Sequence, residues 1–535
     1  MKKILLICVV LLNYNAIAQQ DAWVYFNAKE NVAASIANPI TILTQQAIDR
    51  KNAHGIAIDD RDVPVNEAYI SALKAPETGV TVLAKSKWFN AVYVRGSEID
   101  INNLVTNFTF VESVQFADSS LNPAGRFEEM NDKFEIENTE VMFNYGSAFN
   151  QVDMINADAL HEQNYTGEGI IIAVLDSGFH NVDTMGAFQR LRDNGDLLDG
   201  YDFVDRVEDV YAFTGNDHGT KVLSNMAGFI QDQYVGTAPD ASYYLFRTED
   251  IFTETPVEEA YWVEAAERSD SLGVHIINTS LGYKTYQNPN YSYADTDLDG
   301  QTAFITRGAN IANEKGIIVV TSAGNSGASG VGAPADAPGV LSVGAVDADG
   351  NYVAFSSQGS AIQPTQKPDV VARGGASFVI NSNNVIVNNN GTSFSSPTMA
   401  GGVASLWQAL PDFDHEEIKT FVRMSASQYN TPDFFLGYGI PNLQVALDIG
   451  LSLQEEEFLE FNIFPNPVSD VLTIQVPIFN EFTTMKVYDI LGKTVLEQEL
   501  SEASNSIDVS FMSPGMYIMR FESGEASKTF KLIKS

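Results

Sequence analysis

Four short apolar runs mark the middle of the chain, and each ends at a turn-forming segment. They begin at Ile170, Val274, Ile317 and Val340. Continuous runs rich in valine and isoleucine are typical of strands that are buried on both faces of a parallel sheet. A helical pattern over residues 257–273 lies between such runs, and this alternation indicates β-α-β units. We therefore predict that residues 146–450 form an α/β domain with a parallel sheet flanked by helices.

A different pattern precedes this domain. Residues 88–96 alternate apolar and polar positions like a half-buried strand, and residues 108–116 form a second strand candidate. A helical stretch lies between the two. We predict a small α+β domain within residues 19–145, which stands apart from the parallel sheet.

The end of the chain has the pattern of a small all-β unit. Short strand candidates follow one another closely over residues 461–535, which predicts a β-sandwich. The acidic stretch 451–460 before them is interpreted as a linker. No segment after the N-terminus has 18 continuous apolar residues, so no transmembrane helix is expected.

The first residues have the pattern of a secretory signal. Lys2 and Lys3 precede the apolar run 4–12, which is too short to span a bilayer, and a small-x-small cleavage site ends at Ala18. We predict a signal peptide over residues 1–18. The only cysteine, Cys8, lies inside it, so the exported protein is expected to contain no disulfide and no reactive thiol.

Length and charge narrow the function further. A chain of 535 residues exceeds one hydrophobic core, and two to four domains are expected. The formal net charge is −38 and the pI is about 4.3. This charge argues against nucleic acid and against anionic membranes as partners.

Four fragments carry the chemistry. They are LDSG at Asp176, DHGT at His218, SAGN at Asn325 and GTSFSSP at Ser393. Together they supply a carboxylate, an imidazole, an amide donor and a hydroxyl, which are the groups that an acyl-transfer site needs. The order Asp, His, Ser along the chain is one of the three orders known for serine triads. On these motifs the chain resembles a subtilase, a subtilisin-like serine endopeptidase.

The local patterns agree with the roles that this resemblance implies. Apolar residues at helical spacing follow Ser393, so the serine is expected at a helix N-terminus, where free N–H groups favour a developing anion. The resemblance implies that His218 is the general base, that Asp176 orients it and that Asn325 donates to the oxyanion. His275 lies within a strand pattern and is interpreted as a packed core residue.

The resemblance also implies where substrate lies. A peptide is expected to bind as an extended strand against Ser280, Leu281 and Gly282, and Gly324 is expected in the specificity pocket. No organic cofactor is implied. The segment 295–300 has carboxylates at Asp295, Asp297 and Asp299, which leaves calcium binding and a plain polar turn both open. The sequence assigns no metal ligand.

The two ends of the chain carry resemblances of their own. Residues 19–145 look like a subtilase propeptide, which implies an inhibitor and a folding aid, although an unrelated accessory domain stays open. FPNPVSDVLTIQV and the ending KTFKLIK resemble the sorting domain of type IX secretion cargo, with an adhesive β-sandwich as the alternative. This implies export through the periplasm and outer membrane of a Bacteroidetes-like bacterium, to the cell surface or beyond.

Two functions from different classes follow. The first is a secreted serine endopeptidase that is made as a proenzyme and acts on polypeptides. The second is a surface-binding protein on a catalytically dead subtilase fold, whose expected sign is a lost catalytic residue. All four motif positions are filled, which favours the enzyme.

Overall fold

The computed structural model describes residues 19–122, 145–459, 462–475, 483–489, 493–500, 504–523 and 526–535. The predicted signal peptide and residues 123–144 of the predicted α+β region 19–145 lie outside these residues. The chain divides into two compact units, and the boundary along the sequence lies between Leu447 and Asp448. We describe each unit by itself.

The N-terminal segment, residues 19–122, is built on a four-stranded antiparallel sheet of order β2-β3-β1-β4. Its strands are β1 Gln19–Phe26, β2 Val80–Ser86, β3 Ala91–Ser97 and β4 Val111–Phe116. Its helices are α1 Val32–Ala37, α2 Gln45–Ala53, α3 Glu67–Leu73 and α4 Glu98–Asn107. The two strands and the helix predicted from the sequence are β3, β4 and α4. Strand β1 was not predicted.

One prediction for this sheet is wrong, because β3 is buried on both faces rather than on one. Ala22, Val24 and Phe26 of β1 face α3 and α4 of their own domain. Trp23 points the other way, since side chains alternate along a strand, and it joins a cluster with helices of the central domain, residues 145–447. A second domain therefore covers the face that the alternating pattern left to solvent.

The central domain contains a seven-stranded parallel sheet of order β13-β12-β11-β10-β5-β9-β6. Its strands are β5 Ile171–Asp176, β6 Leu197–Asp202, β9 Ser242–Arg247, β10 Ile276–Thr279, β11 Ile318–Ser322, β12 Leu341–Val346 and β13 Val370–Arg373. Two hairpins add β7 Phe229–Ile230 with β8 Tyr234–Val235, and β14 Ser377–Ile380 with β15 Ile386–Asn389. The four apolar runs are β5, β10, β11 and β12, which confirms the predicted parallel α/β sheet.

Helices cover both faces of this sheet. The helices after the N-terminal segment are α5 Phe149–Asp153, α6 Ala157–His161, α7 Gln189–Asn194, α8 His218–Ala227, α9 Val257–Leu272, α10 Phe304–Glu314, α11 Thr392–Ala409, α12 His415–Met424 and α13 Leu443–Leu459. Ile171, Ala173 and Leu175 of β5 join α9 and α10 in one apolar cluster. Helices α8 and α11 pack on each other and on the opposite face of the sheet, to which the intervening side chains of β5 point.

The N-terminal segment docks on the outer side of α9 and α10. Trp23 stacks on Phe304 with ring centroids 4.0 Å apart. The buried Glu267 carboxylate of α9 accepts hydrogen bonds from the backbone N–H groups of Lys87 and Trp88, at 2.9 and 3.0 Å, and from the Ser86 hydroxyl. Burial outweighs these donors and raises the pKa of Glu267 to about 7. The contact thus combines a shared apolar core with a buried carboxylate.

The predicted linker 451–460 is helical up to residue 459, as the end of α13. Leucine and glutamate are strong helix formers, so its acidic composition did not exclude a helix. The described part of the chain contains no helix that is both long and apolar enough to cross a bilayer.

The C-terminal unit consists of two antiparallel sheets, of order β16-β17-β20 and β19-β18-β21-β22. Its strands are β16 Asn462–Phe464, β17 Val471–Gln475, β18 Thr483–Tyr488, β19 Thr494–Leu500, β20 Ser504–Asp508, β21 Gly515–Ser523 and β22 Ala526–Lys534. Side chains of both sheets, such as Leu472 and Met519, share one core. The small β-rich unit agrees with the predicted sandwich.

Candidate active site

Asp176 and His218 form a buried polar pair at the carboxyl edge of the parallel sheet. Asp176 ends β5 and is completely buried, and His218 begins α8. The distance from His218 Nδ1 to Asp176 Oδ1 is 2.8 Å. A carboxylate can only accept, so Nδ1 carries the proton and Nε2 of the neutral ring is left as an acceptor. This is the tautomer that a general base for a hydroxyl requires.

Two residues that we did not predict hold this pair in place. Asn216 Oδ1 accepts from the backbone N–H of His218 at 2.7 Å, which fixes the start of α8. The backbone N–H of Ser177 donates to Asp176 Oδ1 at 2.7 Å, which fixes the carboxylate. Asparagine just before a helix is a common capping residue, and this was the available signal for Asn216.

Gly219 explains why α8 can start so close to β5. A Cβ atom at this position would lie 2.6 Å from the Gly178 carbonyl oxygen and 3.0 Å from the Cβ of Asp176. Backbone atoms cannot yield as a flexible side chain does. The glycine of the DHGT motif thus permits the short distance between His218 and Asp176.

Ser393 is the second residue of α11, as the sequence predicts. The residue before the helix, Gly391, has φ 148°, a conformation that favours glycine. The Ser280 hydroxyl donates to the Ser393 carbonyl oxygen at 2.9 Å, and Ser393 Oγ lies 3.4 Å from the Ser280 carbonyl oxygen. The ring of Phe394 lies 5.8 Å from that of His218. The start of α11 therefore lies beside both the predicted base and the predicted substrate strand.

Asn325 presents its amide N–H₂ group beside the start of α11. Its Oδ1 accepts from the backbone N–H and the hydroxyl of Thr392, at 2.9 and 3.0 Å, which fixes the orientation of the amide. A Cβ atom built on Gly391 would lie 3.6 Å from both Asn325 Nδ2 and the backbone N of Ser393. These two N–H donors therefore border one small space, and the exposed Asn325 side chain is open to a ligand. We did not predict the role of Thr392 from the sequence, because only its position within the GTSFSSP motif distinguishes it there.

The predicted substrate residues also lie here. Ser280 and Leu281 directly follow β10 and are buried, and Gly282 is partly exposed. Tyr283, the next residue, forms an antiparallel bridge with Ala333 through hydrogen bonds of 2.8 and 2.9 Å. The predicted substrate residues thus lie between the end of β10 and a strand-like bridge.

Gly324 occupies a position that only a small residue can take. Its φ is 106°, and a Cβ atom there would lie 2.9 Å from Ser357 Oγ. Its backbone N–H donates to the Thr392 hydroxyl at 3.2 Å. Gly324 therefore lies within the same cluster as Asn325 and Ser393.

Arg247 is a site-supporting residue that we did not predict. It ends β9 directly beside Asp176, and its Nε donates to the Ser177 carbonyl oxygen at 3.2 Å. Its Nη1 lies 2.7 Å from carboxylate oxygens of both Asp202 and Asp205. Arg247 directly follows the aromatic and apolar residues of β9, and a cation in such a position predicts burial with an anionic partner. The guanidinium ties the strand end that carries Asp176 to β6.

The segment 295–300 forms a hydrogen-bonded turn. Asp295 pairs with Lys284 at 2.6 Å, and Asp297 accepts from the Ala294 N–H at 2.9 Å. Asp299 accepts from the N–H groups of residues 301 and 302. No group of three side chains that could hold a metal ion occurs among the described residues. The three carboxylates thus have protein partners here, and the choice between a calcium site and a plain polar turn stays untested.

His275 is a packed residue at the opposite edge of the sheet. Its Nδ1 accepts from the backbone N–H of Ile171 at 3.1 Å, and its ring meets that of Trp407 edge to face. Desolvation lowers the pKa of His275 to about 3, so the ring is neutral. The structural interpretation of this histidine agrees with the prediction.

Comparison with known families identifies three parts of the chain. Residues 167–439 match the subtilase family of peptidase S8. Residues 21–134 match the peptidase S8 propeptide domain of Bacteroidota, and residues 462–535 match a secretion system C-terminal sorting domain. The chain is therefore a secreted or cell-surface protein with a propeptide. We call the described part of this propeptide, residues 19–122, the prosegment.

Individual relatives cover the central domain. Subtilisin E of Bacillus subtilis is 31% identical over 301 residues, which are 55% of this chain and 70% of that protein. Subtilisin DY of Bacillus licheniformis is 29% identical over 301 residues, or 55% of this chain and 97% of that protein. Among solved structures, MycP1 from Mycobacterium smegmatis is 22% identical, with a TM-score of 0.45, and the match covers 56% of this chain and 84% of that one. The prenylagaramide maturation protease PagA is 23% identical, with a TM-score of 0.44, and the match covers 55% and 97%.

The subtilase match spans more than half of the chain, and it contains all four motifs. The chain belongs to the subtilase family and is a serine-type endopeptidase.

Proposed function

We propose that Ser393, His218 and Asp176 form the catalytic triad of this endopeptidase. Ser393 Oγ attacks the carbonyl carbon of a peptide bond, and His218 Nε2 takes the hydroxyl proton and returns it to the leaving amine. Water then hydrolyses the acyl-enzyme ester by the same proton route. The observation that carries this proposal is the 2.8 Å contact of His218 Nδ1 with the buried Asp176, beside the start of α11.

Asn325 and the backbone N–H of Ser393 would form the oxyanion hole. Both donors border the space above Gly391 at equal distance. The Asn325 amide is already oriented by Thr392, so it need not reorganise as the negative charge develops. Such preorganised donors act in the transition state more than in substrate binding.

Removal of one donor provides a specific prediction. Asn325→Ala is expected to lower kcat about 10²–10³-fold, with KM changed far less, because the amide contacts only the charged intermediate. Steady-state kinetics on a peptide ester or amide measures both constants. Ser326→Ala, which changes the adjacent exposed side chain, is the control and should retain near-normal kcat. An equal loss in both variants would contradict the role of Asn325.

Polypeptide substrates would bind as an extended strand along Ser280, Leu281 and Gly282. The contacts of Ser280 with Ser393 and the adjoining bridge of Tyr283 support this placement. Main-chain pairing tolerates many sequences, so broad endopeptidase activity is expected. Gly324 would border the pocket for the side chain that precedes the scissile bond.

The enzyme would be made as an inactive proenzyme. The prosegment would act as its inhibitor and folding aid, and the C-terminal sorting unit would direct it through the type IX secretion machinery. Passage would lead from the periplasm across the outer membrane, followed by release or surface attachment.

A fluorophosphonate probe tests the proposed catalytic function. The probe is expected to label Ser393 in the processed protein, because only a serine activated by a base reacts at a useful rate. Labelling should disappear in Ser393→Ala and persist in Ser395→Ala, which alters the next serine, two positions further along the chain. An unlabelled wild type that also leaves casein intact would favour the binding protein on a dead fold.

A further inference from the structure

One part of the prosegment reaches beyond its own sheet. Residues 38–66, which we call the arm, contain α2 and cross the C-terminal ends of α9 and α10. The backbone N–H of Thr44 donates to the Ser271 carbonyl oxygen at 3.0 Å. A Cβ atom on Gly273, just after α9, would lie 2.8 Å from the Ala47 backbone N. The arm therefore lies directly against the peptidase backbone.

The first ionic contact of the arm is at Asp270 of α9. Asp270 Oδ1 lies 2.8 Å from Arg50 Nη2 and 2.7 Å from Lys51 Nζ. All three side chains are 2% exposed or less. Arg50 Nη1 also donates to the Lys315 carbonyl oxygen at 2.8 Å. One buried peptidase carboxylate thus meets two cations of the arm.

The second contact has the opposite polarity. Lys315 Nζ, just after α10, lies 2.8 Å from Asp62 Oδ2 and 2.8 Å from Asp59 Oδ1. Lys51 Nζ lies 3.3 Å from Asp62 Oδ1 and connects the two contacts. Within residues 19–122 and 145–459, every ion pair of Asp270 and Lys315 is made with the arm. The two surfaces are therefore matched in charge at two points.

Burial gives these ion pairs a large effect on recognition. A buried ion that loses its partner keeps the full cost of desolvation, so a mismatched partner is rejected strongly. The apolar contact between Trp23 and Phe304 leaves no buried charge unpaired when the partner is mismatched, so it discriminates less between partners.

The arm is also remote from the candidate active site. Helix α9 ends at Leu272 and β10 begins at Ile276, so Asp270 lies at the amino edge of the sheet. Asp176 and Ser393 lie at its carboxyl edge. Changes at Asp270 can therefore alter docking of the arm without touching the catalytic groups.

We propose that the arm is a second, charge-matched docking element, whose ion pairs with Asp270 and Lys315 set how long the cut prosegment stays bound. This rests on the proposed function, in which the prosegment is cut and inhibits. The arm holds the prosegment at the amino edge of the sheet and thereby delays activation. It also selects the prosegment that matches this peptidase.

The first test follows activation of the full chain. Purified wild type and Asp270→Asn are allowed to process, and the prosegment that co-elutes with the peptidase and the lag before peptide hydrolysis are recorded. Asp270→Asn leaves Arg50 without its carboxylate partner and Lys51 with only the longer contact to Asp62, so we expect at least tenfold faster release and a shorter lag. The final kcat should be unchanged. Equal release rates in the two proteins would overturn the proposal.

Two further variants separate docking from folding. Glu67→Gln breaks an exposed pair with Lys85 inside the prosegment, and it should release at the wild-type rate. The triple variant Arg50→Met, Lys51→Met and Asp270→Leu removes all three ions of the first contact, so no charge is left unpaired. Its release rate should return to within about threefold of wild type. If the triple variant releases its prosegment as fast as Asp270→Asn does, charge matching is not the cause of slow release in the wild type.

A second test does not need catalysis. Amide hydrogen exchange of the uncut Ser393→Ala chain is compared with and without Asp270→Asn. Exchange is expected to quicken at least tenfold in α2 and to stay unchanged in β1–β4. Unchanged exchange in α2, or equal acceleration in the sheet, would overturn the independent docking role. If the wild type never cuts its prosegment, the proposed function is refuted. The role of the arm is still decided by the exchange measurement, which needs no cleavage.

Discussion

Ser393→Ala is expected to lower kcat for peptide hydrolysis about 10⁶-fold, the loss that a subtilisin suffers when its nucleophile is removed. Alanine cannot form the acyl-enzyme, so only the oxyanion donors and substrate binding remain. The fold should persist, because the Ser393 hydroxyl makes one long hydrogen bond among the described residues, to the Ser280 carbonyl oxygen at 3.4 Å. Casein digestion and the intact mass of the purified chain measure the effect.

The mass records a second outcome of the same substitution. Wild type is expected to lose an N-terminal piece that ends before residue 146, whereas Ser393→Ala should keep it if removal is autocatalytic. Ser395→Ala is the matched control, since its hydroxyl only caps the Thr392 carbonyl oxygen at 3.1 Å. Casein digestion by Ser393→Ala at the wild-type rate would refute the assignment of the nucleophile.

Asp176→Ala is expected to lower kcat about 10⁴-fold, with a much smaller change in KM. The alanine removes the carboxylate that holds Nδ1 of His218, at 2.8 Å. The imidazole then loses its fixed tautomer and the negative charge that stabilises its protonated form. Steady-state kinetics on a chromogenic peptide amide separates kcat from KM.

A neighbouring carboxylate offers the control for Asp176. Asp217 directly precedes His218, but it accepts from the backbone N–H and hydroxyl of Ser382 rather than from the imidazole. Asp217→Asn should therefore keep kcat within about tenfold of wild type. Comparable losses at Asp176 and Asp217 would indicate that general disturbance of α8, not loss of the orienting carboxylate, lowers activity.

The parallel sheet was predictable in four neighbouring interior strands. β5, β10, β11 and β12 appear in the sequence as continuous apolar runs, because nothing along them faces water. The edge strand β6 has the sequence LLDGYD and exposes the neighbouring residues Leu198 and Asp199, so its pattern resembles a loop. Edge position, not weak pairing, explains why it was missed.

The four motif residues could be named from the sequence, but their supports could not. Asp176, His218, Asn325 and Ser393 stand in short motifs that identify them without a structure. Asn216, Thr392 and Arg247 act through contacts with residues 2, 67 and 70 positions away, and only the fold brings most of these together. Polar residues of this kind have no periodic signal.

The arm illustrates the same limit more strongly. Arg50, Lys51 and Asp62 belong to residue types that are mostly exposed, and their spacing fits a solvated surface. Their partners Asp270 and Lys315 are more than 200 positions away. Only the packing of two domains converts these surface-like residues into a buried network.

The apolar contact between prosegment and peptidase has a spectroscopic consequence. Trp23 and Trp88 are two of the four tryptophans in the chain, and both are 5% exposed within the shared cluster. Departure of the prosegment transfers both indoles to water, while Trp262 and Trp407 remain inside the peptidase domain. The emission maximum of the protein should therefore shift to longer wavelength as the prosegment leaves. Activation can be followed in real time by the fluorescence of the native chain, without any attached dye.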